Sequence, residues 1–192
     1  MRREIDIYDD PADHIPQKKQ INPKLKKALV YILCALLGAL AAFGLIILFD
    51  SVFDGASTPE KAIAEYERAA LLYDVDNMIE YSSEYNKTVL YGNQKTSNRL
   101  LESYLTKAYS ENKPKYSESE ISFKLHSSLE YEKGSKKYEE AMKKYKQKAD
   151  DAESVEKIAI VRMTVVKGDD ETTRNYLAVK CGSRWFFAYA GA

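Results

Sequence analysis

Residues 158–189 read IAIVRMTVVKGDDETTRNYLAVKCGSRWFFAY, and this closing stretch decides the fold. Positions 158–166 are apolar on both sides of a period-two pattern, which predicts a central strand. Gly168-Asp169-Asp170 supplies a turn, 173–181 the next strand, Gly182-Ser183 a second turn, and 185–189 the last strand. Three strands joined by tight turns make an antiparallel meander. In the last of them, period two puts Trp185, Phe187 and Tyr189 on one face and Phe186 and Ala188 on the other. The first set carries more aromatic area. It is assigned to the core, with Trp185 as an anchor against the first long helix, near Tyr66 or Tyr73.

Upstream, 121–131 alternates in the same way. Ile121, Phe123, Leu125, Leu129 and Tyr131 fall on one face, and Ser122, Lys124, His126, Ser128 and Glu130 on a wet one. Gly134 ends this strand. Residues 135–151 then predict a Lys-rich helix with a narrow stripe of Tyr138, Ala141, Met142, Tyr145 and Ala149, expected to pack loosely on the domain edge.

Earlier still, the period is helical. Thr58-Pro59-Glu60 is a helix start: a capping hydroxyl, a proline suited to the first position, and an acid at the positive end of the dipole. Ile63, Tyr66, Ala70 and Tyr73 recur at helical spacing. Residues 74–77 break the pattern, and Met78, Ile79 and Tyr81 continue it as a short helix. After a loop at Tyr91-Gly92-Asn93, a third helix over 97–111 is expected to bury Leu101, Tyr104, Leu105 and Ala108. Helices segregated from an antiparallel sheet make an α+β domain.

Before the domain lies ALVYILCALLGALAAFGLIILF, residues 28–49, with no charged residue and no Asn, Gln or Pro. At about 1.5 Å per residue such a helix reaches roughly 33 Å, enough to cross a hydrocarbon core of about 30 Å. The reading is therefore a disordered tail at 1–27, a transmembrane helix at 28–49, a linker at 50–57 and an α+β domain at 58–192. Lys24, Lys26 and Lys27 precede the span, and Asp50 and Asp54 follow it. The positive-inside bias puts the N-terminus in the cytoplasm and the domain outside the plasma membrane. A cleaved signal peptide is the rival, but its apolar region is shorter and its leading region less extended. Of the two cysteines, Cys34 lies in the span and Cys181 in the domain, so no intramolecular disulfide is expected.

The formal charge is zero, with small opposite excesses before and after the span. Neither segment offers the basic surface that nucleic acid requires. No G-x-S-x-G, H-E-x-x-H or phosphate loop occurs. Asp9, Asp10, Asp13 and His14 read as a solvated tail and His126 as surface, so no catalytic residue, metal or cofactor is assigned. The 15 tyrosines are the more informative feature, because tyrosine packs a core while offering a polar handle to a ligand.

The helix opening Thr58-Pro59-Glu60-Lys61-Ala62, the break Tyr73-Asp74-Val75-Asp76 and the ending Gly182-Ser183-Arg184-Trp185-Phe186-Phe187 resemble the nuclear-transport-factor-two-like, or cystatin-like, superfamily. Small extracytoplasmic domains of that superfamily often occur in bacterial lipoproteins and membrane-anchored proteins. The resemblance spans about 57–190 and implies a long helix in the concave face of a curved sheet, enclosing a cone-shaped pocket. The Lys-rich helix departs from the simplest form of that pattern. Tyr66, Tyr73, Tyr104 and Trp185 are the candidate pocket-lining residues. Two functions follow: a non-enzymatic binding or scaffold domain for an extracytoplasmic protein or small ligand, or a small-molecule enzyme of ketosteroid-isomerase-like type. A pocket filled by tyrosines favours the first, and a carboxylate in a closed pocket with a raised pKa favours the second.

Overall fold

The computed structural model describes residues 54–191, together with Ile32. The expected tail and, apart from Ile32, the expected span lie outside the described residues. Among the described residues no helix is long and apolar enough to cross a membrane.

The domain is α+β. Four helices come first: α1 (Pro59–Leu72), α2 (Val75–Glu80), α3 (Glu84–Leu90) and α4 (Asn98–Tyr109). Then follow β1 (Ile121–Glu132), α5 (Lys136–Tyr145), β2 (Val155–Lys167), β3 (Asp170–Cys181) and β4 (Arg184–Ala190). The strands form one antiparallel sheet in the order β1-β2-β3-β4.

The start of α1 follows its residues. Thr58 accepts a hydrogen bond from the Lys61 amide, and Pro59 occupies the first turn. Ala62, Ile63, Tyr66 and Ala69 are buried at helical spacing. The helix ends at Tyr73, which adopts the left-handed conformation at φ 59°. Asp74 then caps α2, accepting from the Asn77 amide at 3.2 Å.

The sheet is covered on both faces, which explains why β2 is apolar on both sides. Ala159, Val161, Met163 and Val165 meet α1 in one cluster with Tyr66, Tyr176, Ala178, Trp185 and Phe187. Val155, Ile158, Leu177 and Val179 meet α5 in a second cluster with Tyr138, Met142 and Tyr145. Full burial of such aliphatic and aromatic side chains stabilises by roughly 1.5–3 kcal/mol each. The Lys-rich helix therefore does not lie loosely on an edge. Its stripe is buried, and the Tyr138 hydroxyl donates to the Val155 carbonyl at 2.7 Å, stapling it to the start of β2.

Two bulges redirect side chains away from the expected faces. In β1 the register slips between Leu125 and Ser127. An extra residue reverses the alternation beyond it. Phe123 stays on the α1 face, opposite Val165, while Leu129 and Tyr131 turn to the α5 face, opposite Ile160 and Ile158. The single apolar face expected for 121–131 is thus split, and Leu125 and Leu129 remain exposed. In β4, Phe187 pairs with Ala178 and Tyr189 with Leu177, so one residue is bulged. Trp185 and Phe187 face α1 as expected, but Tyr189 packs in the opposite cluster, tilted against Tyr85 at 5.1 Å.

Three further expectations are corrected. The helix α3 falls where none was read. In α4, Leu101 and Leu105 are buried, but Tyr104 and Ala108 are exposed. The linker is not a free tether at its end. Ala56 and Trp185 exchange backbone hydrogen bonds at 2.9 and 2.8 Å, and Gly55 and Ala56 are buried. Further along, Phe187 donates to the Tyr81 carbonyl and accepts from the Ser83 amide, so the outer edge of β4 is closed.

Candidate binding cleft

A hollow of about 480 Å³ opens on the surface between α3, the loop that follows it, and the segment that leaves α5. Its walls are built locally. Ser83 caps α3 by accepting from the Asn86 amide at 3.4 Å, and Glu84 lies in the first turn. One helical turn on, Lys87 pairs with Glu84 at 3.2 Å. After Gly92 and Asn93, both at positive φ, the chain presents Lys95 and Thr96. On the opposite wall the chain leaves α5 and turns through Lys148 and Asp150 into a single turn at Asp151–Ser154. Two contacts bridge the walls: Lys95 donates to Asp150, and Lys148 donates to the amide oxygen of Asn93.

Asp151 forms the floor. The Tyr145 hydroxyl donates to its two carboxylate oxygens at 3.0 and 3.1 Å, and the Cys181 thiol approaches at 3.9 Å. Burial pushes the Asp151 carboxyl above the usual carboxylate range, and the nearby Glu84 adds to the effect. The Cys181 thiol is pushed up to about 11, chiefly by burial, which removes the thiolate needed for nucleophilic chemistry at neutral pH.

The four tyrosine and tryptophan candidates divide into two pairs. Tyr66 and Trp185 are buried together beneath α1. The Tyr66 ring stacks on Phe187 with centroids 4.0 Å apart and planes 10° from parallel. Burial raises its hydroxyl to about 12, while a hydrogen bond with Asn86 works the other way. Tyr104 lies on α4 and Tyr73, at the end of α1, faces it. Tyr73 stacks on Tyr109 at 4.5 Å, and the half-exposed Tyr104 meets the edge of Tyr91 at 5.2 Å. None of the four lines the cleft.

One acidic residue stands apart from the polar faces. Glu67, on α1, hydrogen-bonds with Tyr176, and burial raises its carboxyl although Arg174 and Lys167 pull the other way. His126 is exposed, and its Nε2 lies 2.7 Å from the Thr164 hydroxyl, which in turn reaches Thr173 at 2.6 Å. Among the described residues no cluster of His, Cys, Asp and Glu could hold a metal ion.

Sequence reasoning missed the cleft because its residues come from three separate segments of mixed charge. The available signal was Ser83-Glu84, a capping hydroxyl followed by an acid in the first turn, which marks the start of α3. No protein-family model, curated protein or solved structure matches the chain.

Proposed function

We propose that this protein is a non-enzymatic binding domain of the cystatin-like cone type, held by residues 28–49 in the plasma membrane and displayed outside it. The observation that carries the binding reading is a contrast between two spaces. Beneath α1, Tyr66 against Phe187, with Trp185 beside them, fills the interior with side chains. An open hollow lies elsewhere, at the polar cleft between α3 and the Asp151 turn. Ligand sites are concave, with a few polar groups converging on them, and the cleft has that form. The anchor and the outward orientation rest on the apolar run and its flanking charges.

Glu67 favours a second reading, the isomerase-like enzyme. It combines a raised carboxyl with a tyrosine hydroxyl in hydrogen-bonding contact, the parts a proton-transfer site uses. Chemical-shift mapping on the full chain in detergent, against a library of small polar metabolites, separates the two. Shifts gathered at 84–96 and 148–151 support the cleft. Shifts confined to Tyr66, Glu67 and Tyr176 would replace it with the enzyme reading.

A further inference from the structure

We propose that the cleft takes a small zwitterion, a free amino acid or a short peptide with both termini free, holding its carboxylate at Lys148 and its ammonium at Asp151. This rests on the cleft being the ligand site. The cleft is lined by three lysines and three acids. Lys87 is neutralised by Glu84, and Lys95 by Asp150. That leaves one cation and one anion that form no ion pair among the described residues. Lys148 meets only the neutral Asn93 amide and the face of Tyr85, 5.6 Å from the ring centre. The Asp151 carboxylate takes its side-chain hydrogen bonds from the neutral Tyr145 hydroxyl and Cys181 thiol, with the Glu84–Lys87 pair acting on it from further off with opposite signs.

Each of these two groups has room for a ligand group of opposite sign, and an ammonium beside Asp151 would favour the carboxylate that burial disfavours. A simple anion would satisfy Lys148 and be repelled by Asp151, and a simple cation the reverse. A molecule carrying both charges satisfies the pair at once. The flanking ion pairs already neutralise the other charges of the walls. The supports are held in place: Tyr145 is fully buried and bonds the Asp151 carboxylate, while the Lys148 ammonium sits over the Tyr85 ring. The volume, about 480 Å³, lies within the roughly 300–1,000 Å³ usual for small-ligand pockets.

The test is calorimetric titration of the full chain in detergent with four probes: glycine, dialanine, N-acetyl-dialanine and dialanine amide. Dialanine or glycine is expected to bind, and the better of them tells peptide from free amino acid. Blocking either end of dialanine should weaken binding about tenfold or more. Two variants then assign the ends. Lys148→Met should bind dialanine and its amide equally weakly, and Asp151→Asn should no longer distinguish dialanine from its N-acetyl form. Thermal melts check that each variant is folded. Equal binding of all dialanine forms by the wild type would overturn the zwitterion assignment and leave the cleft as a ligand site. Binding of none of the four would also overturn it, and the chemical-shift screen then judges the cleft separately.

Discussion

Gly55 lies under the ring of Phe186 so closely that a Cβ built on it would sit 2.7 Å from the ring. The same Cβ would lie 2.9 Å from the Trp185 carbonyl oxygen, and the backbone is at φ +83°. Only glycine fits both demands. The contact locks the start of the domain onto its last strand. Gly55→Ala is expected to cost about 2–4 kcal/mol, from backbone strain and steric overlap together. Gly92, at φ +69° with nothing within 4 Å, is the control. Gly92→Ala meets strain alone, at about 1 kcal/mol. Chemical denaturation of both variants checks the difference, and equal losses would refute the contact.

Trp185 is 3% exposed, at the meeting of Ala56, α1 and β4. Its truncation should leave a large cavity. Trp185→Ala is expected to destabilise by about 3–5 kcal/mol. A loss within about 0.5 kcal/mol, as at surface sites, would deny it the anchor role.

The Lys-rich helix gives a sharper case. Met142 is fully buried against the sheet, so Met142→Ala should cost about 2–5 kcal/mol. A helix lying loosely on the edge would lose well under 1 kcal/mol on the same change. Equilibrium unfolding decides between them.

Glu67 makes stability depend on pH. Its carboxyl is raised, chiefly by burial. A carboxyl whose folded pKa exceeds its unfolded value contributes stability below the unfolded pKa, and that contribution is lost as pH rises through the folded value. The charged form is therefore a liability at neutral pH. Glu67→Gln is expected to raise Tm at pH 7, with the gain fading below about pH 4. A lower Tm at pH 7 would show that attraction to Arg174 and Lys167 outweighs burial.

Much of the fold was legible from local pattern. The meander shows in period two and in Gly168 and Gly182, and the start of α1 shows in Thr58 and Pro59. The faces beyond the bulges were not legible. Nothing local to 121–131 tells that an extra residue near His126 sends Leu129 and Leu125 to opposite sides. Tyr189 failed for the same reason, being one residue past a slip in β4. The burial of α5 was hidden by its lysines, which lie on the face away from a narrow stripe. The cleft was least legible of all. Lys148 and Asp151 acquire meaning only when α3 and its following loop are brought opposite them, a long-range event without a local signal.

The proposed binding domain is held at the membrane and displayed outside it. Protease added to intact cells, with an epitope tag at each end, tests this most directly. Loss of the C-terminal tag is expected, with survival of the N-terminal one on a membrane-bound fragment that still contains residues 28–49. A C-terminal tag that resists digestion until the membrane is broken, or a mature chain beginning near Ser57, would contradict it.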